Sequence, residues 1–255
     1  MGHNTILGVD EIPPHAICYP NPTPECVGRR ASLLRRAGVR AVVSEGKHLV
    51  GGLRVLGRGH AAVVFKAILA DGRIAAVKVL RTDSKRESLL TECELMIRAA
   101  PVAPAVIKCF DELIVMEFID GVSLGDVVEG IVKRHTCSEV PHLIARVLGA
   151  TRYLDIRGVD HKELSIPRKH VMLSNGAVRI IDYESARPRE RPCNVCRVVS
   201  WFVMRSGLWR ECCGDPEDAL ATLTPALRRY RRSCTPEEFK NVLLTLLNTC
   251  RASLP

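Results

Sequence analysis

Short apolar runs, rich in valine and alanine and separated by glycines, follow one another from residue 40 to residue 81. The runs at 40–46, 49–59, 61–69 and 73–81 have the length and the β-branched content of strands. Ala70–Arg73 has the composition of a hairpin turn between the last two. Another strand-like run follows at residues 113–118. The pattern therefore predicts an antiparallel sheet.

Helical periodicity interrupts this sheet once and dominates after residue 120. Ser84 and Glu87 have the spacing of a capping box and predict a helix start. A stripe of apolar positions over 138–157 predicts a longer helix, buried along one face. Thr235 and Pro236 predict the start of the last helix.

The order of these elements predicts an α+β fold with two lobes. Residues 1–38 are expected to form an N-terminal arm and a short basic helix. Residues 39–119 are expected to form a lobe built on the antiparallel sheet, and residues 120–255 a mostly helical lobe. Lobes of this size have enough residues for a sizeable core.

Composition excludes two broad classes of protein. Hydrophobic residues make up 47% of the chain, charged residues make up 25%, and the mean hydropathy is +0.06. These values are typical of a globular protein and not of a disordered one. No apolar run reaches the 18 or so residues that a membrane span needs. The first 15 residues lack the basic start of a secretory signal, so we expect a cytoplasmic protein without a membrane partner.

The net charge of +9 indicates a polyanionic partner. Positive charge is concentrated over residues 27–54 and again over 228–232. A solvated helix face is the alternative interpretation of each cluster. The arginines that we expect to bind an anionic chain near the N-terminus are Arg29, Arg30, Arg35 and Arg36.

Eleven cysteines, no glutamine and only six asparagines give the chain an unusual composition. Depletion of amides suggests a heat-adapted source, although a GC-rich genome would also favour the 28 arginines. Intracellular disulfides occur in hyperthermophiles. Cys193, Cys196, Cys212 and Cys213 are open to three interpretations: a zinc site, disulfides or free thiols. The odd total leaves at least one cysteine unpaired.

A candidate phosphate-binding loop lies at the start of the sheet. Gly57 and Gly59 are followed by a small residue, Ala62, and then by Val64, so backbone N–H groups are able to approach a triphosphate closely. Fourteen residues after Val64, Lys78 ends a strongly apolar strand and is a candidate cation for the phosphates. Glycines in a hairpin are more often simple turns, so this signal is weak alone.

A carboxylate to orient Lys78 is expected on the following helix. Glu92 lies a further 14 residues along the chain, and an ion pair between the two side chains would fix the ammonium group. Glu94 competes for the role, and an exposed helix glutamate is the alternative interpretation of Glu92.

This ordered set resembles the protein-kinase-like fold, and in particular small atypical members such as the RIO-type kinases and the kinase subunit of the KEOPS complex. The resemblance covers roughly residues 50–200. It implies ATP and Mg²⁺ as cofactors. It also implies a hinge at Met116–Ile119, where the carbonyl of Glu117 and the N–H of Ile119 face adenine.

The resemblance places the catalytic loop at residues 157–164 and the metal ligand at the end of a later strand. Glu163 stands where a kinase aspartate accepts the substrate proton, and Asp160 is a rival for that role. Asp182, in the sequence IIDYE, is the expected Mg²⁺ ligand. His170 stands nearest to the second, usually asparagine, ligand.

Residues beside this expected transfer site are basic. Arg187 and Arg189 follow Asp182, and Lys169 precedes it, so the sequence predicts that these three side chains also bind an anionic substrate. Surface exposure without such a role is the alternative for Lys169. Between Asp182 and the helix near residue 195 there is no threonine that could serve as an activation phosphosite.

The sequences PRKHV and NVCRVVSWF are similar to those of an archaeal family of predicted serine/threonine kinases, which includes a tRNA kinase acting on a ribose 2′-hydroxyl. The resemblance implies tRNA as partner and substrate. Two alternatives stay open: a RIO-type kinase with a protein substrate, and an ATP-binding RNA assembly factor with weak ATPase activity. The sequence leaves the oligomeric state undetermined.

Overall fold

The computed structural model describes residues 5–251, and for Arg251 only the backbone. The chain divides into two compact units. The first comprises the residues up to Ile97 together with Pro104–Ile119, and the second comprises Arg98–Ala103 together with the chain from Asp120 onward. The predicted start of the second lobe at residue 120 coincides with a change of unit.

The first unit contains nine strands and three helices among its described residues, if α3, which ends at Arg98, is included. They are β1 (Ile6–Gly8), α1 (Pro14–Ile17), α2 (Pro24–Arg36), β2 (Val39–Val43), β3 (His48–Val50), β4 (Leu53–Val55), β5 (Gly57–Arg58), β6 (Ala62–Leu69), β7 (Ile74–Leu80), α3 (Leu90–Arg98), β8 (Val106–Cys109) and β9 (Leu113–Glu117). An antiparallel sheet has the order β1-β2-β6-β7-β9-β8, with β5 paired to β6. The predicted antiparallel sheet is confirmed.

The second unit contains five strands and six helices within the described residues. They are β10 (Val122–Ser123), α4 (Leu124–Arg134), α5 (Val140–Ile156), β11 (Val159–Asp160), β12 (Val171–Ser174), β13 (Ala177–Ile180), β14 (Arg187–Pro188), α6 (Asn194–Met204), α7 (Leu208–Cys212), α8 (Pro216–Ser233) and α9 (Pro236–Arg251). The predominance of helix confirms the α+β class.

The expected N-terminal arm is not separate from the sheet. Leu7 pairs with Val42 across β1 and β2. Ala16, Ile17 and Leu34, each at most 2% exposed, belong to the same hydrophobic core as the sheet. The described part of residues 1–38 is therefore integrated into the first unit, because its apolar side chains are buried there.

The third helix begins later than the capping-box spacing predicts. Ser84 accepts a hydrogen bond from the N–H of Arg86, 3.0 Å away, which closes a turn and not a helix. The hydroxyl of Ser88 accepts from the N–H of Leu90 at 3.1 Å, where α3 starts. Serine side chains favour local turns as readily as helix caps, so the spacing alone was ambiguous.

Ten of the eleven cysteines are paired in disulfides, and Cys234 is free. The pairs are Cys18–Cys26, Cys93–Cys109, Cys137–Cys212, Cys193–Cys196 and Cys213–Cys250. The four cysteines considered as zinc ligands are thus divided among three disulfides. Within the described residues no three or more His, Cys, Asp or Glu side chains are arranged so that they could hold a metal ion among them.

None of the helices in residues 5–251 is both long enough and apolar enough to cross a lipid bilayer.

Candidate active site

The glycine-containing loop is a tight hairpin of the first unit. Gly57 is paired with Val64, and Arg58 with Val63, across β5 and β6. The N–H of Gly59 donates to the carbonyl oxygen of Ala62 at 2.9 Å and closes the turn. Gly59 is exposed and has no side chain, so a ligand is able to approach its backbone closely.

Lys78 and Glu92 form an ion pair in the interior of this unit. The Nζ of Lys78 lies 2.6 Å from Oε1 of Glu92, and the two side chains are 5% and 1% exposed. Glu94, the rival carboxylate, is exposed. A helix rotates by about 100° per residue, so two positions along α3 turn Glu94 away from the strand that Glu92 faces.

The ion pair joins strand β7, which carries Lys78, to helix α3, which carries Glu92. Lys78 is paired with Val64 of β6 and with Ile114 of β9, in the middle of the sheet. The disulfide between Cys93 and Cys109 ties the helix that carries Glu92 to strand β8. A buried charge without a partner is strongly destabilising, so each of the two side chains is needed for the stability of the fold. The same pairing holds the ammonium group in a fixed position.

The predicted hinge residues form the end of the sheet. The N–H of Glu117 donates to the carbonyl of Ala105 at 2.8 Å, and its carboxylate accepts from the N–H of Ala105 at 3.0 Å. Ile119 is half-buried and is the last residue of the first unit. The prediction that Glu117 and Ile119 contact adenine stays a prediction.

In the second unit Glu163 lies on an exposed turn of 3-10 helix, Lys162–Ser165. Its carboxylate accepts a hydrogen bond from the hydroxyl of Ser185 and lies 4.0 Å from Nε2 of His170. The turn is anchored by its neighbour His161, which is buried and whose Nε2 lies 3.2 Å from the carbonyl of Ile181. Burial lowers the pKa of His161 to about 4.

Asp160, the alternative to Glu163, is fully buried. Its carboxylate accepts hydrogen bonds from Arg197, from Arg187 at 3.2 Å and from Arg189 at 3.4 Å. Burial alone would raise the pKa of Asp160, but the three guanidinium groups outweigh it and hold the pKa below its usual value. A buried carboxylate with three cationic partners is poorly suited to accept a proton from a substrate.

Asp182 follows β13 and has a left-handed backbone conformation, with φ of 65°. Its side chain is 42% exposed, and its Oδ2 lies 4.0 Å from Nδ1 of His170. The structure thus brings Glu163, His170 and Asp182 together in one unit, with the imidazole between the two carboxylates. Their separation in sequence is bridged by the hairpin β12–β13.

A buried network that no sequence pattern indicated holds residues 159–161, which the resemblance assigns to the catalytic loop. Asp155 accepts from the N–H of Asn194 at 2.7 Å, from its Nδ2 at 2.8 Å and from the hydroxyl of Tyr230 at 2.9 Å. The Oδ1 of Asn194 accepts from the N–H of His161 at 3.0 Å. Burial raises the pKa of Asp155 to about 6.

No sequence signal distinguished these residues. Asn194 stands at the start of α6, where an asparagine ordinarily caps its own helix, and Asp155 lies within a helix among apolar positions. Only their convergence with Tyr230 of α8 makes them a network.

The basic residues expected to bind an anionic chain differ in how they are used. Arg30 is 3% exposed and donates to Glu112 and to the carbonyl of Ile17, so its prediction as an RNA-binding residue is wrong. Arg29 is exposed but shares Glu112. Arg35 is paired with Asp10, and Arg36 lies 5.4 Å from the centre of the Phe110 ring. Both are exposed.

The basic residues of the second unit are also exposed. Arg187 and Arg189 share the carboxylate of Asp160, but their side chains are 54% and 42% exposed. Lys169 is exposed and makes no hydrogen bond or ion pair with another described residue. The prediction that these three bind an anionic substrate stays a prediction.

Comparison with known proteins gives one result for the region that carries these groups. The family described as "Protein kinase domain" matches residues 52–203, more than half of the chain. The matched residues include the glycine hairpin, Lys78, Glu92, Glu163 and Asp182. No curated protein matches the chain.

Proposed function

Because the chain belongs to the protein kinase domain family, and is therefore a phosphotransferase, we propose that it transfers the γ-phosphate of ATP to a ribose 2′-hydroxyl of tRNA. The buried ion pair of Lys78 and Glu92, 2.6 Å long, carries the assignment of an ATP-binding kinase site. Glu92 fixes the direction of the ammonium group, and Lys78 would donate to the phosphate oxygens of ATP. The hairpin at Gly57–Ala62 would cover the phosphates.

The donor set at Asp182 fits magnesium. Mg²⁺ in phosphoryl transfer is bound through one or two carboxylates and the substrate phosphates, and the carboxylate of Asp182 is accessible. The ion, when bound, neutralises charge on the transferring phosphate. His170 offers a nitrogen, which magnesium favours less than oxygen, so we assign the metal to Asp182.

Glu163 would accept the proton of the attacking hydroxyl. In this reaction the substrate oxygen forms a bond to the γ-phosphorus, the bond from that phosphorus to the bridging oxygen of ADP breaks, and the proton passes to Glu163. The hydroxyl of Ser185, which donates to one oxygen of Glu163, orients the carboxylate. Asp160 would instead hold the arginines beside the loop.

Charge supports RNA as the acceptor. The chain has a net charge of +9, and arginine outnumbers lysine by 28 to 9. Exposed arginines at 35 and 36 in the first unit, and at 187 and 189 in the second, supply groups that bind phosphodiesters. The resemblance of the sequences PRKHV and NVCRVVSWF to those of a tRNA kinase family supports the same substrate.

The test is transfer from γ-³²P-labelled ATP to total tRNA and, separately, to cell protein. Label that enters tRNA and is recovered after alkaline hydrolysis in an alkali-resistant dinucleotide supports an internal 2′-hydroxyl acceptor, because alkaline cleavage of RNA requires a free 2′-hydroxyl. Lys78→Ala and Asp182→Ala should each lower transfer at least about 10³-fold, because each removes a charge that stabilises the transition state. Lys108→Ala, which removes an exposed lysine of β8 in the same sheet, is the matched control.

Label that enters only protein would replace this proposal with a protein kinase activity. Transfer that survives both Lys78→Ala and Asp182→Ala would contradict the assignment of the site. Binding of tRNA to these two variants should equal that of the unmodified chain, because neither residue is assigned to the RNA.

A further inference from the structure

A cavity of about 240 Å³ lies beside the glycine hairpin, entirely within the first unit. It is lined by Tyr19, Arg58, Gly59, His60 and Arg81. Lys78 and Glu92 are not in this lining, which also contains no carboxylate. Pockets for whole drug-sized ligands measure roughly 300–1,000 Å³, so this cavity suits one charged group of a larger ligand.

The guanidinium group of Arg81 is held rigidly at one wall. Its Nε and Nη2 donate to the two oxygens of Asp83 at 2.8 and 2.7 Å, and its Nη1 donates to the carbonyl of Gly59 at 3.0 Å. A guanidinium group has five N–H donors, so one on each terminal nitrogen remains for a ligand. The planar group also lies 4.9 Å from the centre of the Tyr19 ring.

The backbone that carries Tyr19 is also held in place. Its carbonyl accepts from the N–H of Thr82 at 2.8 Å, and the N–H of Asn21 donates to the hydroxyl of Thr82 at 3.0 Å. The preceding residue, Cys18, is joined to Cys26 by a disulfide. The wall formed by Tyr19 and Arg81 is therefore organised before any ligand binds, which lowers the entropy cost of binding.

Arg58 and His60 complete the lining from the hairpin itself. Both side chains are exposed, and neither makes a hydrogen bond or ion pair with another described residue. Together with Arg81 they line the same small volume. Oxyanions, and phosphate above all, are the ligands that such an arrangement of arginines binds.

We propose that this cavity binds one phosphodiester group of the acceptor RNA, next to the glycine hairpin and apart from the Lys78–Glu92 pair. The inference rests on the proposed function, since the phosphate group that it places in the cavity belongs to an RNA acceptor and not to ATP. An aromatic ring beside guanidinium groups is the usual setting for a single-stranded nucleotide, because the base or sugar packs on the ring while the phosphate meets the cations. The net charge of +9 favours a polyanion over an isolated phosphate.

The experiment measures binding of a fluorescent ten-residue oligouridylate without ATP, from 50 to 300 mM salt. Arg58→Ala combined with His60→Ala removes two side chains that hold nothing else in the described chain. The double variant should bind the oligonucleotide about tenfold more weakly, and the slope of log K against log salt should fall by about one. Because the same hairpin is assigned to the ATP phosphates, affinity for Mg-ATP is measured in parallel, and it should fall much less than affinity for the oligonucleotide.

Arg134→Ala combined with His142→Ala is the matched control. It removes the same two residue types, both exposed, from the second unit, and should leave oligonucleotide binding and its salt dependence unchanged. Inorganic phosphate should compete only at millimolar concentration, because it lacks the remainder of the chain. A phosphoserine peptide of equal charge should bind more weakly than the oligonucleotide.

Three results would overturn the proposal. The first is an Arg58 and His60 double variant that binds the oligonucleotide as tightly as the unmodified protein does. The second is a loss of ATP affinity in this variant as large as its loss of oligonucleotide affinity. The third is tighter binding of the phosphopeptide than of the oligonucleotide by the unmodified protein. Transfer of label to tRNA with no effect of the double variant on binding would refute the cavity alone. Absence of label in tRNA, with the expected loss of oligonucleotide binding, would refute the proposed reaction and retain the cavity as an RNA site.

Discussion

Asp160 and Glu163 are three residues apart and have opposite surroundings. Asp160 is fully buried and accepts from three arginines, whereas Glu163 is exposed on a 3-10 turn and accepts from Ser185. The carboxylate of Asp160 therefore stabilises the fold, whereas the carboxylate of Glu163 has an oxygen that a substrate is able to reach. A proton acceptor must be within reach of its substrate, which favours Glu163.

Substitution of each carboxylate by its amide separates these tasks. Glu163→Gln should lower phosphate transfer by about 10²–10⁴-fold with little change in the free energy of unfolding, because it removes a base from an exposed turn. Asp160→Asn should lower the free energy of unfolding by about 2 kcal/mol, since three guanidinium groups lose their buried anion. Single-turnover kinetics and urea denaturation measure the two effects. The opposite pattern would make Asp160 the base.

Asp155 makes stability depend on pH. Its pKa is about 6 in the folded chain, above the usual value of about 3.9. From pH 4 to pH 6 the folded chain retains a proton that the unfolded chain has released, so the free energy of unfolding falls as pH rises, by at most about 1.4 kcal/mol per pH unit. His161, whose pKa is lowered to about 4, acts in the opposite direction over this range.

The variant Asp155→Asn isolates the first contribution, because His161 is unchanged in it. In urea denaturation between pH 4 and pH 7, the free energy of unfolding of the wild type should fall with rising pH relative to that of Asp155→Asn. Asp218→Asn, which alters an exposed aspartate, should behave like the wild type. An Asp155→Asn variant with the wild-type pH dependence would show that Asp155 is not the titrating group.

At the scale of elements, helix α3 and strand β8 are joined by a disulfide next to the ion pair. Cys93 directly follows Glu92, and its partner Cys109 ends β8. Helix position in a kinase-like unit decides whether the glutamate reaches the lysine. Here a covalent bond limits the movement of the helix relative to the sheet.

Removal of this disulfide should therefore affect both stability and activity. Cys93→Ser combined with Cys109→Ser opens a loop with a sequence separation of 16, which costs about 3 kcal/mol in the chain-entropy account. The midpoint of thermal unfolding and the rate of transfer should both fall. Cys193→Ser combined with Cys196→Ser, with a separation of only 3, is the control and should lose less stability. Equal losses of stability in the two double variants would show that loop closure does not account for the stabilisation by the Cys93–Cys109 disulfide.

Local sequence predicted most elements but not every boundary. The hairpin turn at Ala70–Arg73 and the start of α9 at Pro236, after Thr235, follow from turn and cap chemistry that acts over about four residues. With Ser84 as its cap, α3 was predicted to start at residue 85; it starts at Leu90, five residues later, because Ser84 uses its hydroxyl in a turn. Residues 5–24 have no period, and their strand β1 exists only because β2 offers it an edge.

At the scale of the whole molecule, positive charge is the feature on which the proposal of an RNA partner rests. The arginines of α2 divide into Arg29 and Arg30, which hold Glu112, and Arg35 and Arg36, which are exposed at its last turn. Of the four, Arg30 is buried and the other three are accessible to a polyanion. The number of arginines thus overstates the cations that a partner meets, because some of them are already paired with carboxylates of the chain.

Reversal of charge at the exposed pair tests its part in binding. Arg35→Glu combined with Arg36→Glu should weaken tRNA binding and lower the slope of log K against log salt by about two, since two phosphate contacts are lost. Lys133→Glu combined with Arg134→Glu, an adjacent basic pair in the last turn of α4, is the matched control. Filter binding over a range of salt measures both. An unchanged slope in the first variant would remove α2 from the RNA surface.

The order of residues along the chain was sufficient for the α+β class, for the glycine hairpin and for an odd cysteine, because these depend on short-range periodicity, turn chemistry and counting. Tertiary structure alone decided that Glu92 and not Glu94 meets Lys78, that Asp160 is enclosed by arginines, that Arg30 is buried and which cysteines pair. Each of these depends on which distant segments pack together, and packing is set by the whole set of buried side chains at once. The network of Asp155, Asn194 and Tyr230 belongs to the same class, since three helices must converge before it exists.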